Sequence, residues 1–272
     1  MFLKVFYHVL NTRDIIVRDK KMEIAIFGDL HGKIFEGLSI CRQWEVHTGK
    51  QLDLILQLGD MGIWPFTEKA DKATRRHAKK DSGELGFQEF YTPSERVKDL
   101  FSQLQANLIF IPGNHEDFEY LKECATESPI FPVEPSKRLF CLKSGGIYQF
   151  GNLKIAGLGG IDKNNRKGKY HPAAYINEKD AEKLLNEKID ILITHESPTD
   201  ACVPGKGSED ITCILRKSQP AFAFFAHYNE GPATAEITGC KTKIYHLNKY
   251  HHETQSISWG ILSWEKQEFE YV

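Results

Sequence analysis

The stretch PGNHE, residues 112–116, follows the apolar run NLIFI of residues 107–111, and the abrupt change between them decides how the chain folds. The apolar run is typical of a buried strand, whereas asparagine and histidine are poor strand formers and poor core residues. In layered α/β proteins, polar residues that directly follow a strand lie at the edge where ligands bind. We therefore predict that Asn114 and His115 lie at a strand end and outside the core.

The same pattern, a short apolar run that stops at a glycine or a polar residue, recurs along the chain. It is present in MEIAIFGD (22–29), LDLILQLGD (52–60), NLIFIPGN (107–114), LKIAGLGGID (153–162), KIDILITHE (188–196) and AFAFFAHYN (221–229). Helix-like stretches lie between several of these runs, namely FEGLSICRQWEVHTG (35–49), TPSERVKDLFSQLQA (92–106) and NEKDAEKLLNEK (177–188). This alternation predicts a layered α/β fold with buried strands. In the second helix-like stretch, Thr92 is the predicted N-cap.

Length and composition favour one large domain with insertions. The chain has 272 residues, of which 41% are hydrophobic, and a formal net charge of −2. We predict an N-terminal extension over residues 1–21 and a single domain over residues 22–272. Residues from about 62 to 91 are rich in lysine, arginine and glutamate, and we interpret them as an insertion that lies over the site.

Composition also argues against several classes of protein. The nearly balanced net charge does not indicate nucleic-acid binding through the overall field, although local patches remain open. The six cysteines are scattered without a CxxC pair, which favours reduced thiols over a disulfide scaffold. Charged residues interrupt the apolar part of the N-terminus, so we expect neither a membrane span nor an export signal, and a cytoplasmic protein.

The polar residues at the predicted strand ends form a set that is typical of a metal site. They are Asp29, His31, Asp60, Asn114, His115, His195 and His227. Mixed oxygen and nitrogen donors suit divalent ions such as manganese, iron, zinc or nickel, and the absence of cysteine donors argues against structural zinc. The set is large enough for two ions, which need a shared carboxylate to screen their repulsion. Two ions roughly 3.5–4 Å apart can hold a hydroxide that attacks phosphorus.

The strings GDLHG, GD, GNHE, THES and AHYN, in this order, resemble the calcineurin-like metallophosphoesterase superfamily. The resemblance covers about residues 22–248 and implies a four-layer α/β/β/α sandwich with a two-metal site at the strand ends. It implies a metal-dependent phosphoesterase in which a metal-bridging hydroxide cleaves a phosphomonoester or a phosphodiester. Two divalent ions are the implied cofactors, with manganese first and iron, zinc, nickel or magnesium as alternatives.

The resemblance also assigns a role to each motif residue. Asp29 and His31 would bind the first ion, and Asp60 would bridge both ions. The second ion would be bound by Asn114, His195 and His227. His115 would not bind metal, but would face the phosphate and assist the departure of the leaving oxygen.

One position departs from the family pattern. The last motif usually reads Gly-His-x-His, and its second histidine binds the first ion. Here the string is AHYN, so that Asn229 stands at the ligand position. An amide oxygen favours harder ions such as manganese or magnesium. His246, His251 and His252 are candidate replacements, and ordinary surface histidines without this role are the alternative.

Several features further resemble RNA lariat debranching enzymes and their bacterial look-alikes, including the long insertion after GD and the string GGIYQFGNLKIAGLGGI (145–161). Those enzymes often carry a cysteine at the position of Asp29, which separates this chain from them. The alternatives are therefore a nucleic-acid phosphodiesterase related to debranching and a non-catalytic interaction module on the same fold. The expected partner is a phosphate ester, with a nucleotide or RNA as the candidates.

Basic residues suggest where the substrate binds. Arg75 and Arg76 lie in the insertion, where Lys72, Arg76 and Lys79 share one helical face. This face is either a phosphate-steering lid or a solvated surface. Arg166 and Lys167 form a second basic cluster, which either binds phosphate or belongs to an ordinary surface loop. The insertion also carries Trp64, Phe66, Phe87, Phe90 and Tyr91, which either stack on a base or anchor the insertion.

Overall fold

The computed structural model describes residues 22–164, 170–229, 233–248 and 256–272. Its strands are β1 (Glu23–Phe27), β2 (Leu54–Gln57), β3 (Asn107–Phe110), β4 (Ile130–Pro132), β5 (Leu139–Leu142), β6 (Gly146–Phe150), β7 (Leu153–Leu158), β8 (Ile191–Thr194), β9 (Phe222–Phe225), β10 (Thr234–Ala235), β11 (Lys243–His246), β12 (Trp259–Ser263) and β13 (Glu268–Tyr271). Its helices are α1 (Ile34–Thr48), α2 (Lys72–Ala78), α3 (Gln88–Tyr91), α4 (Glu95–Gln103), α5 (Phe118–Cys124), α6 (Glu178–Glu182) and α7 (Glu209–Ser218). The predicted extension over residues 1–21, the basic pair Arg166 and Lys167, and the candidate ligands His251 and His252 lie outside the described residues.

The strands form two mixed sheets. The first has the order β13-β12-β1-β2-β3-β5-β4, and the second has the order β10-β11-β9-β8-β7-β6. In the first sheet β1, β2 and β3 are parallel neighbours, and in the second β7, β8 and β9 are parallel neighbours. All six apolar runs that the sequence analysis identified as strands are therefore strands, and they form the parallel centre of each sheet.

Buried apolar side chains within the described residues form three clusters, and these clusters define four layers. One cluster joins the first sheet to α1 and α4, the second lies between the two sheets, and the third joins the second sheet to α6 and α7. The layers are therefore helices, sheet, sheet and helices. The predicted four-layer α/β/β/α sandwich is confirmed.

The alternation of side chains along a strand explains how one short run serves two layers. In β1, Ile24 and Ile26 point into the cluster between the sheets, whereas Ala25 and Phe27 point toward α1. Every residue of β1 is buried, because the strand has neighbours on both faces and both edges. This is why the four residues from Ile24 to Phe27 are all apolar instead of alternating with polar residues.

The start of α4 differs from the prediction, which placed the N-cap at Thr92. The helix begins at Glu95, and the hydroxyl of Ser94 accepts a hydrogen bond from the backbone N–H of Val97. Thr92 instead ends the short helix α3, and the chain turns through Pro93 before α4 begins. The capping geometry requires a hydroxyl directly before the first helical residue, and the serine is the residue in that position.

The residues from 62 to 91 fold as short helical pieces that rest on the body. They comprise 3₁₀ turns at Thr67–Lys69 and Ser82–Leu85 together with α2 and α3. Phe87 and Phe90 are fully buried in the cluster beneath the first sheet. These two rings therefore anchor the segment, which was one of the two alternatives for its aromatic residues.

No helix in the described part of the chain is both long enough and apolar enough to cross a bilayer.

The cap can be tested with a matched pair of variants. Ser94→Ala removes the acceptor for the Val97 N–H, so we expect the free energy of unfolding to fall by about 1 kcal/mol. Thr92→Ala should change it by less than about 0.5 kcal/mol, since the exposed Thr92 side chain caps no helix in the described part of the chain. Urea denaturation measures both values. An equal loss from the two variants would contradict the capping assignment.

Candidate metal centre

The site residues lie where the parallel strands of the two sheets end. Asp29, Asp60 and Asn114 follow β1, β2 and β3 of the first sheet, and His195 and His227 follow β8 and β9 of the second. The imidazole of His195 joins the two groups: its Nδ1 lies 3.7 Å from Oδ1 of Asp29, and its Nε2 lies 3.5 Å from Oδ1 of Asp60. The carboxyl ends of both sheets thus meet at one edge of the sandwich.

The donors form two groups that share one residue. Asp29, His31 and Asp60 offer ligand atoms within 4.8 Å of one another, and so do Asp60, His195 and His227. Each of these residues except His31 is buried. Asp60 belongs to both groups, which is the geometry that a bridging carboxylate requires. Every predicted metal ligand among the acids and histidines is therefore part of a possible ion site.

Three of the candidate ligands have a left-handed backbone that non-glycine residues rarely adopt. The φ angles are 44° at His31, 50° at Asp60 and 72° at His227. Such conformations cost on the order of 1 kcal/mol each and persist where the surroundings fix them. Their concentration at one edge indicates that the chain is bent to turn these side chains toward a common point.

Backbone amides hold the carboxylate of Asp60. Its Oδ1 accepts hydrogen bonds from the N–H groups of Asn114 at 2.6 Å and His115 at 2.7 Å. Gly113 makes this approach possible, because a Cβ at that position would lie 2.2 Å from both the backbone nitrogen and Oδ1 of Asp60. This is the reason for the glycine in the stretch PGNHE.

The orientation of His195 shows that the donors fit a cation. Its Nδ1 lies 2.9 Å from the carbonyl oxygen of Leu58, which can only accept, so the ring proton is on Nδ1 in the neutral form. The bare Nε2 then faces Oδ1 of Asn114 at 3.2 Å. Nδ2 of the same amide is buried and has no hydrogen-bond partner among the described residues. In the neutral ring these lone pairs face each other, and either a proton on Nε2 or a bound cation relieves their repulsion.

The local field attracts positive charge to the same point. Burial alone would lower the pKa of His195, but the carboxylates of Asp60 and Asp29 outweigh it and raise the pKa to about 10. Burial would raise the pKa of Asp60, but the imidazoles of His195 and His115 hold it well below its usual value. Without an ion, the two aspartates would therefore draw a proton onto His195, and a divalent ion satisfies the same negative charge.

His115 lies beside this centre and is oriented by a residue that the sequence analysis did not identify. Its Nδ1 lies 2.5 Å from Oδ2 of Asp71, and its ring centroid lies 5.8 Å from that of His31. Burial would lower the pKa of His115, but the charge of Asp60 and the hydrogen bond to Asp71 raise it to about 9. Asp71 also caps α2, accepting from the N–H of Thr74 at 2.8 Å. The carboxylate before the stretch KATRRHA signals a cap, but nothing local signals its contact with His115.

Two more buried side chains support the strand ends. The carboxylate of Glu116 accepts from the backbone N–H groups of Met61 at 2.7 Å, Gly62 at 3.1 Å and Ile63 at 2.7 Å. The chain that follows Asp60 is thereby fastened to the GNHE motif.

The second supporting residue is Gln57, the last residue of β2. Its Nε2 donates to the carbonyl oxygens of Gly28 at 3.1 Å and Gly59 at 2.5 Å. The loops that carry Asp29 and Asp60 are thus held together by one buried amide, which a strand-like sequence such as LDLILQLGD does not reveal.

The departure in the last motif has a clear structural setting. Asn229 is exposed, two residues after the buried His227. His246 is buried on β11, with its Nε2 3.2 Å from the carbonyl oxygen of Tyr228 and its Nδ1 3.8 Å from the sulfur of Cys202. Among the described residues His246 lies outside both donor groups, so the structure gives it no place in the centre.

A cavity of about 610 Å³ opens beside Asn114 and His115. Its lining includes the cations Lys69, Lys72 and Arg76 and the rings of Phe118, Tyr170 and His171. Trp64 also lines it.

The two predicted substrate-binding arginines of α2 differ in position. Arg76 lines the cavity. Arg75 is not among the lining residues, and its guanidinium donates to the carbonyl oxygen of Glu68 at 3.2 Å. The neighbouring arginines therefore provide a matched pair for experiments.

Comparison with known proteins identifies the class. The layered sandwich with carboxylate and imidazole donors at its strand ends is the arrangement of a phosphoesterase family. The chain belongs to the calcineurin-like phosphoesterase family, whose profile matches residues 22–230. The resemblance that the motif order indicated is confirmed, and the family implies divalent metal ions.

Curated relatives carry the name lariat debranching enzyme. The Arabidopsis thaliana enzyme is 25% identical over 243 residues, which cover 76% of this chain and 54% of the relative. The Drosophila melanogaster enzyme is 25% identical over 240 residues, which cover 76% of this chain and 42% of the relative. The chain thus spans about half the length of these relatives. The solved structure of TT1561 of Thermus thermophilus has a TM-score of 0.57 at 15% identity, covers 93% of this chain and 98% of its own, and supports the fold alone.

The support of Asp60 predicts how a distant change affects metal binding. Gly113→Ala would place a Cβ 2.2 Å from Asp60 Oδ1 and displace this carboxylate without removing a donor. We expect manganese affinity, measured by isothermal titration calorimetry, to fall roughly 10–100-fold. Gly49→Ala is the control, since its Cβ would meet no atom of the described residues within 4 Å. Unchanged affinity in a folded Gly113→Ala protein would contradict this role.

Proposed function

We propose that the protein hydrolyses phosphate esters at a pair of divalent ions, bridged by Asp60. The observation that carries this proposal is the membership of Asp60 in both donor groups. Asp29 and His31 would hold the first ion. Asn229 stands at the motif position whose usual histidine binds that ion. The second would be held by Asn114, His195 and His227. Two such ions, when bound, supply a nucleophilic oxygen and offset the charge that develops on the phosphate.

Manganese is our first choice of metal. The donor groups combine the carboxylates of Asp29 and Asp60, which suit manganese, with three imidazoles and no thiolate. Iron, zinc, nickel and magnesium are the alternatives, and metal analysis of the purified protein distinguishes them.

His115 supplies the proton for the leaving group. The carboxylate of Asp71 accepts a hydrogen bond from Nδ1–H of His115. It thereby keeps a proton on Nδ1 and orients the imidazole ring. The Nε2 of the imidazolium then gives its proton to the departing oxygen as the phosphorus–oxygen bond breaks. Asp71 acts through His115 and is therefore a positioning residue.

A nucleic-acid phosphodiester is the second, narrower candidate for the substrate. It is supported by the name of the curated relatives and by a cavity beside His115 that carries three cations. The discriminating measurement is the rate on a panel of phosphomonoesters, linear dinucleotides and 2′–5′ branched RNA with manganese present. A marked preference for monoesters would exclude this candidate and leave the general phosphoesterase activity intact.

Alanine variants separate metal binding from proton transfer. Asp60→Ala should lose both bound manganese and activity, because it removes the shared carboxylate. His115→Ala should keep its manganese and lose about 10²–10⁴-fold in turnover of bis(p-nitrophenyl) phosphate. His47→Ala, at the exposed end of α1, is the control. Near-normal turnover in both Asp60→Ala and His115→Ala would refute the proposed function.

The role of Asp71 is tested by Asp71→Asn, which keeps a side chain that can cap α2. We expect kcat to fall about tenfold or more while KM changes little, since the ring of His115 loses its charged acceptor. In a His115→Ala background the same change should have no further effect. An additional loss in that double variant would show that Asp71 acts on something other than His115.

A further inference from the structure

The cavity beside His115 lies on one side of the metal centre. Asn114 and His115 line it, whereas Asp29, His31, His195 and His227 are not among its lining residues. Because His115 protonates the departing oxygen, the group attached to that oxygen lies on this side. We propose that the cavity is the leaving-group site and binds a nucleotide whose own phosphate lies against Lys72 and Arg76. This inference rests on the proposed function, since the role of His115 gives the cavity its direction.

The carboxylates that line the cavity are engaged within the protein. Asp71 contacts His115 and caps α2, and Glu116 accepts three backbone N–H groups. Asp117 caps α5 through the N–H of Tyr120, and Glu119 lies 3.3 Å from Nε2 of His171. Each of the four carboxylates thus contacts at least one protein group, whereas Oδ2 of Asp117 has no hydrogen-bond partner among the described residues.

The cations of the cavity differ from its carboxylates in this respect. Lys69, Lys72 and Arg76 form no ion pair with a carboxylate among the residues that the structure describes. Lys72 and Arg76 are four residues apart on α2, so their side chains project from the same face, next to each other. A lysine and an arginine that converge at the rim of a cavity suit a phosphate, which the guanidinium binds with two parallel hydrogen bonds.

The rings of the lining are held by contacts with other side chains. His171 stacks on Phe118 with ring centroids 5.1 Å apart and an interplanar angle of 11°. Nδ1 of His171 accepts from the N–H of Ala173 at 3.2 Å, so the ring proton is on Nε2, toward Glu119. Tyr170 stands edge-on to His115, with ring centroids 5.5 Å apart. Rings held by such contacts form a platform on which a nucleobase stacks without further ordering of the protein.

The size of the cavity agrees with a nucleotide. Its volume of about 610 Å³ lies within the range of roughly 300–1,000 Å³ that is usual for small-molecule sites. It is much larger than a phosphate with a small alkyl group requires. The rings, the pair of cations and the imidazole of His115 in the lining match base, phosphate and departing oxygen, respectively.

Binding of the leaving group does not need the metals, so the test uses the metal-free, full-length protein. Isothermal titration calorimetry with adenosine 5′-monophosphate measures affinity, and quenching of tryptophan fluorescence reports on Trp64 in the cavity wall. Adenosine and ribose 5-phosphate are the matched probes that lack the phosphate and the base. We expect both to bind at least tenfold more weakly than the nucleotide, since each contacts either the rings or the cations but not both.

Two pairs of variants locate the site. Arg76→Ala and Lys72→Ala should each weaken nucleotide binding about tenfold or more, the loss expected for one charge-assisted contact. Arg75→Ala and Lys79→Ala remove the same charges from the same segment outside the cavity lining and should leave binding unchanged. His171→Ala should weaken binding of adenosine as well as the nucleotide, whereas Arg76→Ala should affect the nucleotide alone.

The outcomes separate this inference from the proposed function. Equal losses from Arg75→Ala and Arg76→Ala, or no measurable nucleotide binding, would overturn the leaving-group site even if manganese-dependent hydrolysis is found. Nucleotide binding that depends on Arg76 and His171 would support it even in a protein that hydrolyses nothing. In the active protein, Arg76→Ala should lower kcat/KM for a dinucleotide by a larger factor than for bis(p-nitrophenyl) phosphate, which has no second phosphate.

Discussion

The position of one carboxylate determines the rest of the site. Asp60 is fixed by backbone N–H groups of the neighbouring strand end and not by flexible side chains, and its left-handed backbone turns the carboxylate inward. This contact ties the end of β2 to the end of β3. His195, from the other sheet, then approaches the same carboxylate. The parallel strands of the two sheets must therefore end at the same edge of the sandwich, and the apolar cluster between the sheets fixes their relative position.

The sequence was sufficient for the parts of the fold that follow from local pattern. The six apolar runs are strands because each is short, rich in branched or aromatic residues, and bounded by a glycine or a polar residue. The order of the layers could not be predicted from the residues alone, because an apolar run does not indicate which of its faces packs against which sheet. It came from the resemblance to a family. The helix cap was misplaced by two residues because Thr92 and Ser94 both have a suitable hydroxyl, and only the turn at Pro93 distinguishes them.

In the site, too, some residues could be predicted from local sequence pattern and others could not. Asp29, Asp60, Asn114 and His195 could be predicted at this edge because each follows a strand within a few residues and carries atoms that can bind metal. Asp71 could not, because its contact with His115 spans 44 residues and depends on how the intervening helical pieces pack. The sequence also treated Arg75 and Arg76 as equals. Only the rotation of α2 against the body distinguishes the arginine at the cavity from the one that turns back to Glu68.

The hydrogen bonds of Glu116 to the backbone of Met61, Gly62 and Ile63 affect which parts of the sequence can vary in evolution. A backbone segment that is held by hydrogen bonds at its first residues passes little displacement from its outer part to the residues before it. Apart from Asp71, which contacts His115, and the buried rings of Phe87 and Phe90, the residues between this point and Tyr91 can therefore be exchanged or recharged while the candidate metal donors keep their positions. Surface properties of this segment can thus change without any change in the donors themselves.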